Sequence, residues 1–144
     1  EYKIPTITIV NPSGKEKIIE FTGEAILDSN QLKSFASAAE KIAPLKIPMQ
    51  IANGCLNSAI KGTGTDMMSE IRTDKTFGAA ISKYGVQILE IFKVGFGNAT
   101  LRFGNESPIH IGFRSDDQKS NYLLLPSGNA APPTPATPPK KKTQ

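Results

Sequence analysis

The spacing of apolar positions changes several times along the chain, and each change marks an element. Residues 6–10 (TITIV) are β-branched and predict a strand. The NPSG at 11–14 is a turn signal, with its returning strand predicted at 18–21 and another strand at 24–27. Behind Asp28, Ser29 and Asn30, which suit helix caps, Leu32, Phe35, Ala36, Ala39 and Ile42 share one helical face. Lys33, Ser37 and Lys41 fall on another face of that helix, which Pro44 ends. Short strands are predicted at 49–51, 55–61, 67–72 and 76–81, punctuated by Asn53-Gly54 and the Gly/Thr run at 62–66.

A second helix is expected over 83–94, capped by Ser82. Ile88, Leu89 and Phe92 form its apolar face, and Lys83, Gln87, Glu90 and Lys93 point outward. Strands follow at 99–103, 109–113 and 122–125. The fold class is therefore α+β, with two helices packed on antiparallel sheets. A β-α-β-β-β unit occurs twice, and the helices stand in equivalent places.

Composition separates a folded part from a tail. Residues 128–144 contain Ala, Pro, Thr and Lys without apolar periodicity, and disorder is expected there. The formal net charge is +4, but Lys140, Lys141 and Lys142 supply three of the 17 basic residues. Without them 14 basic residues face 13 acidic ones, so the high isoelectric point does not by itself point to nucleic acid. Contact with DNA would require charge segregated onto one face.

The single cysteine, Cys55, excludes an intrachain disulfide framework and a multi-cysteine metal site. No apolar run approaches the ~18 residues of a membrane span, so no membrane partner is expected. His110 lies within a predicted strand, and Cys55 has no histidine near it in sequence. The GTGT at 62–65 lacks the Lys-Ser/Thr of a phosphate loop, and no acidic cluster has metal-ligand spacing. No catalytic residue, cofactor or metal is assigned, and no enzyme is expected.

Several segments together resemble one family. Residues 25–42 (AILDSNQLKSFASAAEKI) are similar to the opening strand and helix of the C-terminal domain of DNA sliding clamps of the proliferating-cell-nuclear-antigen (PCNA) type. Residues 53–71 (NGCLNSAIKGTGTDMMSEI) resemble its central hairpin, 88–94 (ILEIFKV) its second helix, and 99–113 (ATLRFGNESPIHIGF) the strands after it. The ending at 107–127, strand–loop–strand–Leu-Pro, looks like the clamp's last hairpin and C-terminal hook. Tyr2-Lys3-Ile4-Pro5 resembles the end of the interdomain connecting loop.

The resemblance implies a division into a connecting-loop end and N-terminal hairpin (1–23), a clamp domain (24–127) and a tail (128–144). It departs from the family in having one such domain rather than two, in an apparent insertion at 11–23, and in Leu125-Pro126-Ser127 at the hook. The chain is accordingly expected to be the C-terminal half of a longer clamp, or else a short clamp that closes a ring with more copies.

The function the resemblance implies is that of a polymerase processivity factor encircling duplex DNA at the replication fork, in nucleus or nucleoid. Lys33 and Lys41 on the first helix, and Lys83 and Lys93 on the second, are the candidates to face DNA. Phosphate contacts of this kind grip without reading sequence and so permit sliding. The same lysines would also suit ordinary solvated helix faces.

Tyr2, Ile4, Pro108, Leu125, Pro126 and Ser127 match the pocket that takes peptides from DNA polymerase, the clamp loader and other partners. The edge strand carrying Met67, Met68, Ser69, Glu70 and Ile71 matches the edge that joins clamp subunits into a homo- or hetero-oligomeric ring. The alternative reading is a generic nucleic-acid-binding or viral structural β-rich protein tethered by its basic tail.

Overall fold

The computed structural model describes residues 2–73 and 75–127, so the tail expected to be disordered lies outside the described residues. Two short strands, β1 (Ile7–Val10) and β2 (Glu16–Ile19), form an antiparallel hairpin. Its turn is held by Asn11, whose Oδ1 accepts hydrogen bonds from the Ser13 and Lys15 amides. The body then runs β3 (Gly23–Asp28), α1 (Ser29–Glu40), β4 (Ile47–Ala52), β5 (Cys55–Lys61), β6 (Asp66–Arg72), β7 (Lys75–Gly78), β8 (Ala80–Tyr84), α2 (Gln87–Lys93), β9 (Asn98–Phe103), β10 (Ile109–Arg114) and β11 (Lys119–Leu124).

The strands pair antiparallel in the orders β6-β5-β4-β8 and β7-β3-β9, with the β10–β11 hairpin beside β9. The two halves thus exchange their leading strands. β3 precedes α1 but pairs with β9, the first strand after α2. β8 precedes α2 but pairs with β4, the first strand after α1. This exchange interlocks the halves around one core.

Both helices pack side by side on the inner faces of the sheets. Phe35 of α1 meets Phe92 of α2 edge to face, with ring centroids 6.1 Å apart. Leu32, Ala36 and Ala39 from α1, and Ile88 and Leu89 from α2, are buried with them. Burying each large side chain contributes roughly 1.5–3 kcal/mol. Asp28 caps α1 as its sequence suggests. Its carboxylate accepts from the Asn30 amide at 2.8 Å, and Gln31 Oε1 accepts from the Asp28 amide at 3.1 Å, completing a capping box. Beyond Lys41 the chain turns through Ala43 at φ 49, just before Pro44.

Three sequence expectations change. The strand expected at 76–81 is two strands, broken at Gly78, where φ is 67 and the chain passes from one sheet to the other. The second helix is shorter than 83–94: Ser82 is a buried member of β8 rather than a helix cap, and α2 begins after Val86 without a side-chain cap. Periodicity misled here because the alternation Ala80, Ser82, Tyr84 runs straight into the helical residues. The second strand of the first hairpin lies at Glu16–Ile19 rather than 18–21.

Candidate functional site

The helix side of the molecule carries the first candidate surface. Lys33 is half-buried on α1, and Lys41 is exposed at its C-cap. Lys33 lines a hollow at the start of α1 together with Arg114 at the end of β10, with Asp28 and Asp116 on the same walls. Sequence gave no cue to Arg114, because only the folding of β10 against the start of α1 brings it there.

Lys93, on α2, reaches across to α1. Its Nζ lies 2.7 Å from Glu40 Oε2 and 3.1 Å from Glu90 Oε2. Hydrogen bonds from Lys93 to Glu40 and then to Glu90 raise its pKa above the usual lysine value. Its cation is thereby offset locally.

Lys83 is not a helix residue. It belongs to β8, where Ala80, Ser82 and Tyr84 face the core and Ile81 and Lys83 face outward. Pro48 of β4 stands opposite it in register. Its side chain therefore projects from the sheet face away from the helices. The correction follows directly from the shorter α2.

The candidate pocket residues lie outside the strands and attach at two separate places. Tyr2 lies over the outward face of the β7-β3-β9 sheet. Its ring stacks on Phe77 with centroids 4.3 Å apart, and its hydroxyl donates to Glu24 Oε1 at 2.6 Å. Glu24 is fully buried, and the Arg102 guanidinium donates to its other oxygen. Burial, followed by the neighbouring Glu24 carboxylate, raises the Tyr2 pKa. Ile4 is half-buried.

The hook residues attach to β8 instead. The Ser127 amide donates to the Lys83 carbonyl at 2.7 Å, and Tyr84 Oη donates to the Ser107 carbonyl, next to Pro108, at 2.7 Å. Leu125 is 68% exposed, while Pro126 is half-buried. Among the described residues, no hydrogen bond or ring contact joins Tyr2 to the hook. Glu24, Phe77 and Arg102, which hold Tyr2, escaped the sequence because strand register alone brings them together.

The edges of the β6-β5-β4-β8 sheet differ. The β8 edge is covered: the Ile81 amide donates to Asn105 Oδ1, the Ile81 carbonyl accepts from the Glu106 amide, and the hook takes Lys83. β6 pairs with β5 on one side only. Met67, Ser69 and Ile71 turn toward the sheet's inner side, and Met68 is 82% exposed on the outer one. This is a seven-residue strand with an open backbone edge.

Cys55 is buried. His110 stands on β10, and burial, then Arg102, lowers its pKa. Among the described residues no group of His, Cys, Asp and Glu is arranged to hold a metal, and no helix is long and apolar enough to cross a membrane.

No protein-family profile matches the sequence, and no curated protein matches it. Solved structures do. A PCNA from A. fulgidus with the C-terminal region of FEN-1 bound superposes with a TM-score of 0.67 at 16% identity, over 88% of this chain and 65% of that one. The PCNA2-PCNA3 complex from Sulfolobus tokodaii gives 0.64 at 15%, over 85% and 60%. The DNA polymerase III beta chain of Streptococcus pneumoniae gives 0.64 at 15%, over 76% and 32%. The chain thus spans less than two thirds of these proteins' lengths. Likeness at such identities shows the fold, and the fold is that of a sliding-clamp domain.

Proposed function

We propose that this sliding-clamp fold serves as one domain of a ring that encircles duplex DNA and holds replication or repair proteins on it. The observation that carries the reading is the pairing of α1 and α2 on one side of the sheets while β6 leaves an open edge beside them. A ring built by continuing sheets across that edge sets helices toward its centre. Met67, Met68, Ser69, Glu70 and Ile71 would then join the next subunit, which supplies the backbone partners β6 lacks. On this reading further domains or copies would complete the ring.

Lys33 and Lys41 are the DNA-facing residues this reading retains, with Lys93 contributing through its bridge to α1. They act on phosphates without reading bases, so the grip weakens with salt and permits sliding. Lys83 leaves the set, because it points away from the helices. Tyr2 and Ile4 from the connecting segment, with Pro108, Leu125, Pro126 and Ser127, would take a peptide from a polymerase, a clamp loader or another partner. The A. fulgidus relative, which carries a region of FEN-1, supports this part of the reading. The work would be done at the replication fork, in nucleus or nucleoid, by holding rather than by catalysis.

The test is retention on DNA of two topologies. The chain, with whatever domains or copies complete its ring, is loaded on nicked circular DNA and on the same DNA linearised. Retention on the circle, and loss from free ends on linearisation, is the expected result. Equal retention on both would identify an ordinary groove binder and refute the clamp reading.

A further inference from the structure

The outward face of the β6-β5-β4-β8 sheet carries a trough near the α1–β4 connection, about 500 Å³ in volume. Pro48, Ala59 and Leu45 are apolar members of its lining, and Leu45 is 87% exposed. Lys46, Lys61 and Lys83 stand on its rim, all exposed. No carboxylate lines the trough. Asp66 stands opposite Lys61 in the strand register, yet among the described residues none of the three lysines enters an ion pair. Three cations without an ion-pair partner thus surround an exposed leucine on the sheet face away from the helices.

We propose that this trough docks a short acidic segment of a partner protein, which sets one apolar side chain against Leu45 and its carboxylates among the three lysines. Charge complementarity selects the occupant. Residues 128–144 of this chain are basic and contain no acid, so their charge opposes the rim rather than matching it.

Nucleic acid fits less well. Phosphates would use the lysines but leave Leu45 unaccounted for, and single strands bind through aromatic platforms, which the lining lacks. Beyond Pro48 and Ala59 lies a second hollow of about 440 Å³, which carries Glu70 and belongs to the β6 edge, so the acidic segment is confined to the trough. The surface lies on the opposite side from the helices, so its occupant would not compete with anything held on the helix side. The proposal does not depend on ring closure.

The full chain is titrated with a fluorescein-labelled twelve-residue peptide that has leucine at its centre and Asp and Glu on both sides. A control peptide carries Asn and Gln at the acidic positions. Binding is read by fluorescence anisotropy, and methyl shifts of Leu45 report location.

The expected result is binding of the acidic peptide at least about tenfold tighter than of the control, weakened by added salt. Combined Lys46→Gln, Lys61→Gln and Lys83→Gln, and separately Leu45→Ser, should each weaken it about tenfold. All four positions are exposed, and unchanged melting confirms folding; Lys61→Gln alone serves if the combined variant does not fold. Equal affinity for both peptides, indifference to the lysine substitutions, or shifts confined to another face would overturn the proposal. So would an oligonucleotide that binds the same residues more tightly than the peptide, or self-association through them.

Discussion

The ammonium of Lys93 lies 2.7 Å from Glu40 Oε2, tying the end of α2 to the end of α1. With Glu90 3.1 Å away on the same ammonium, two carboxylates surround one cation. The helix surface is thereby less positive than its lysines suggest. If duplex DNA lies along it, Glu40 opposes the grip and the unpaired lysines supply it.

Glu40→Gln should accordingly tighten non-specific DNA binding, because it leaves Lys93 with Glu90 alone and removes a repelling charge. Lys33→Gln and Lys41→Gln should each weaken it and reduce the slope of log affinity against log salt by about 1. Titrations at several ionic strengths on long duplex DNA check this. A Glu40→Gln protein that binds more weakly would place DNA elsewhere.

Glu24 is fully buried between Tyr2 and Arg102. Removing its cation strands a carboxylate inside the protein, whereas removing both charges does not. Arg102→Met should cost toward the lower end of ~3–5 kcal/mol, since the guanidinium is partly exposed. Adding Glu24→Gln should recover much of that loss. Urea unfolding of both variants distinguishes the cases, and equal destabilisation of single and double variants would contradict the account.

The clearest elements were readable because local signals agreed. Asp28 before an apolar 3.6-residue period, with Pro44 behind it, defined α1 without tertiary information. Strands bounded by Asn53-Gly54 and the run at 62–66 were equally plain. α2 was not, because Ser82 and Tyr84 satisfy a strand and Ile88 and Phe92 a helix, with only Gly85-Val86 between them. That ambiguity moved Lys83 from the outer sheet face to the wrong element. The anchoring of Tyr2 was invisible for another reason: Glu24, Phe77 and Arg102 come from three strands, and only register brings them under one ring.

His110 gives the protein a pH dependence of defined sign. Burial, then Arg102, lowers its pKa in the fold against a smaller opposing effect of Asn121, and its Nδ1 is buried without a hydrogen-bond partner among the described residues. Above the ordinary histidine value of about 6.5, both folded and unfolded forms are neutral and nothing is lost. As pH falls through that value the unfolded chain takes up the proton first, so stability declines until the folded imidazole also titrates. The melting temperature should drop as pH falls through about 6.5 and below, and His110→Gln should flatten part of that drop. Parallel curves for the two proteins would remove His110 as the cause.

Gly78 stands where the chain leaves β7 and enters β8, crossing between the sheets. Its φ of 67 is one that side chains rarely adopt, and a Cβ there would lie 2.0 Å from the Thr22 carbonyl oxygen. That oxygen cannot easily withdraw. It already accepts the Ala79 amide at 3.0 Å, while Thr22 Oγ1 donates to the Ala79 carbonyl at 2.7 Å. Gly78→Ala must therefore strain the backbone or break this reciprocal pair, at a cost of about 1–3 kcal/mol. Gly64 has open space around it and no positive φ, so Gly64→Ala should leave stability within about 0.5 kcal/mol of the parent. Denaturant midpoints for the two variants provide the check. A Gly78→Ala protein as stable as Gly64→Ala would mean that the sheet-to-sheet corner does not need this conformation.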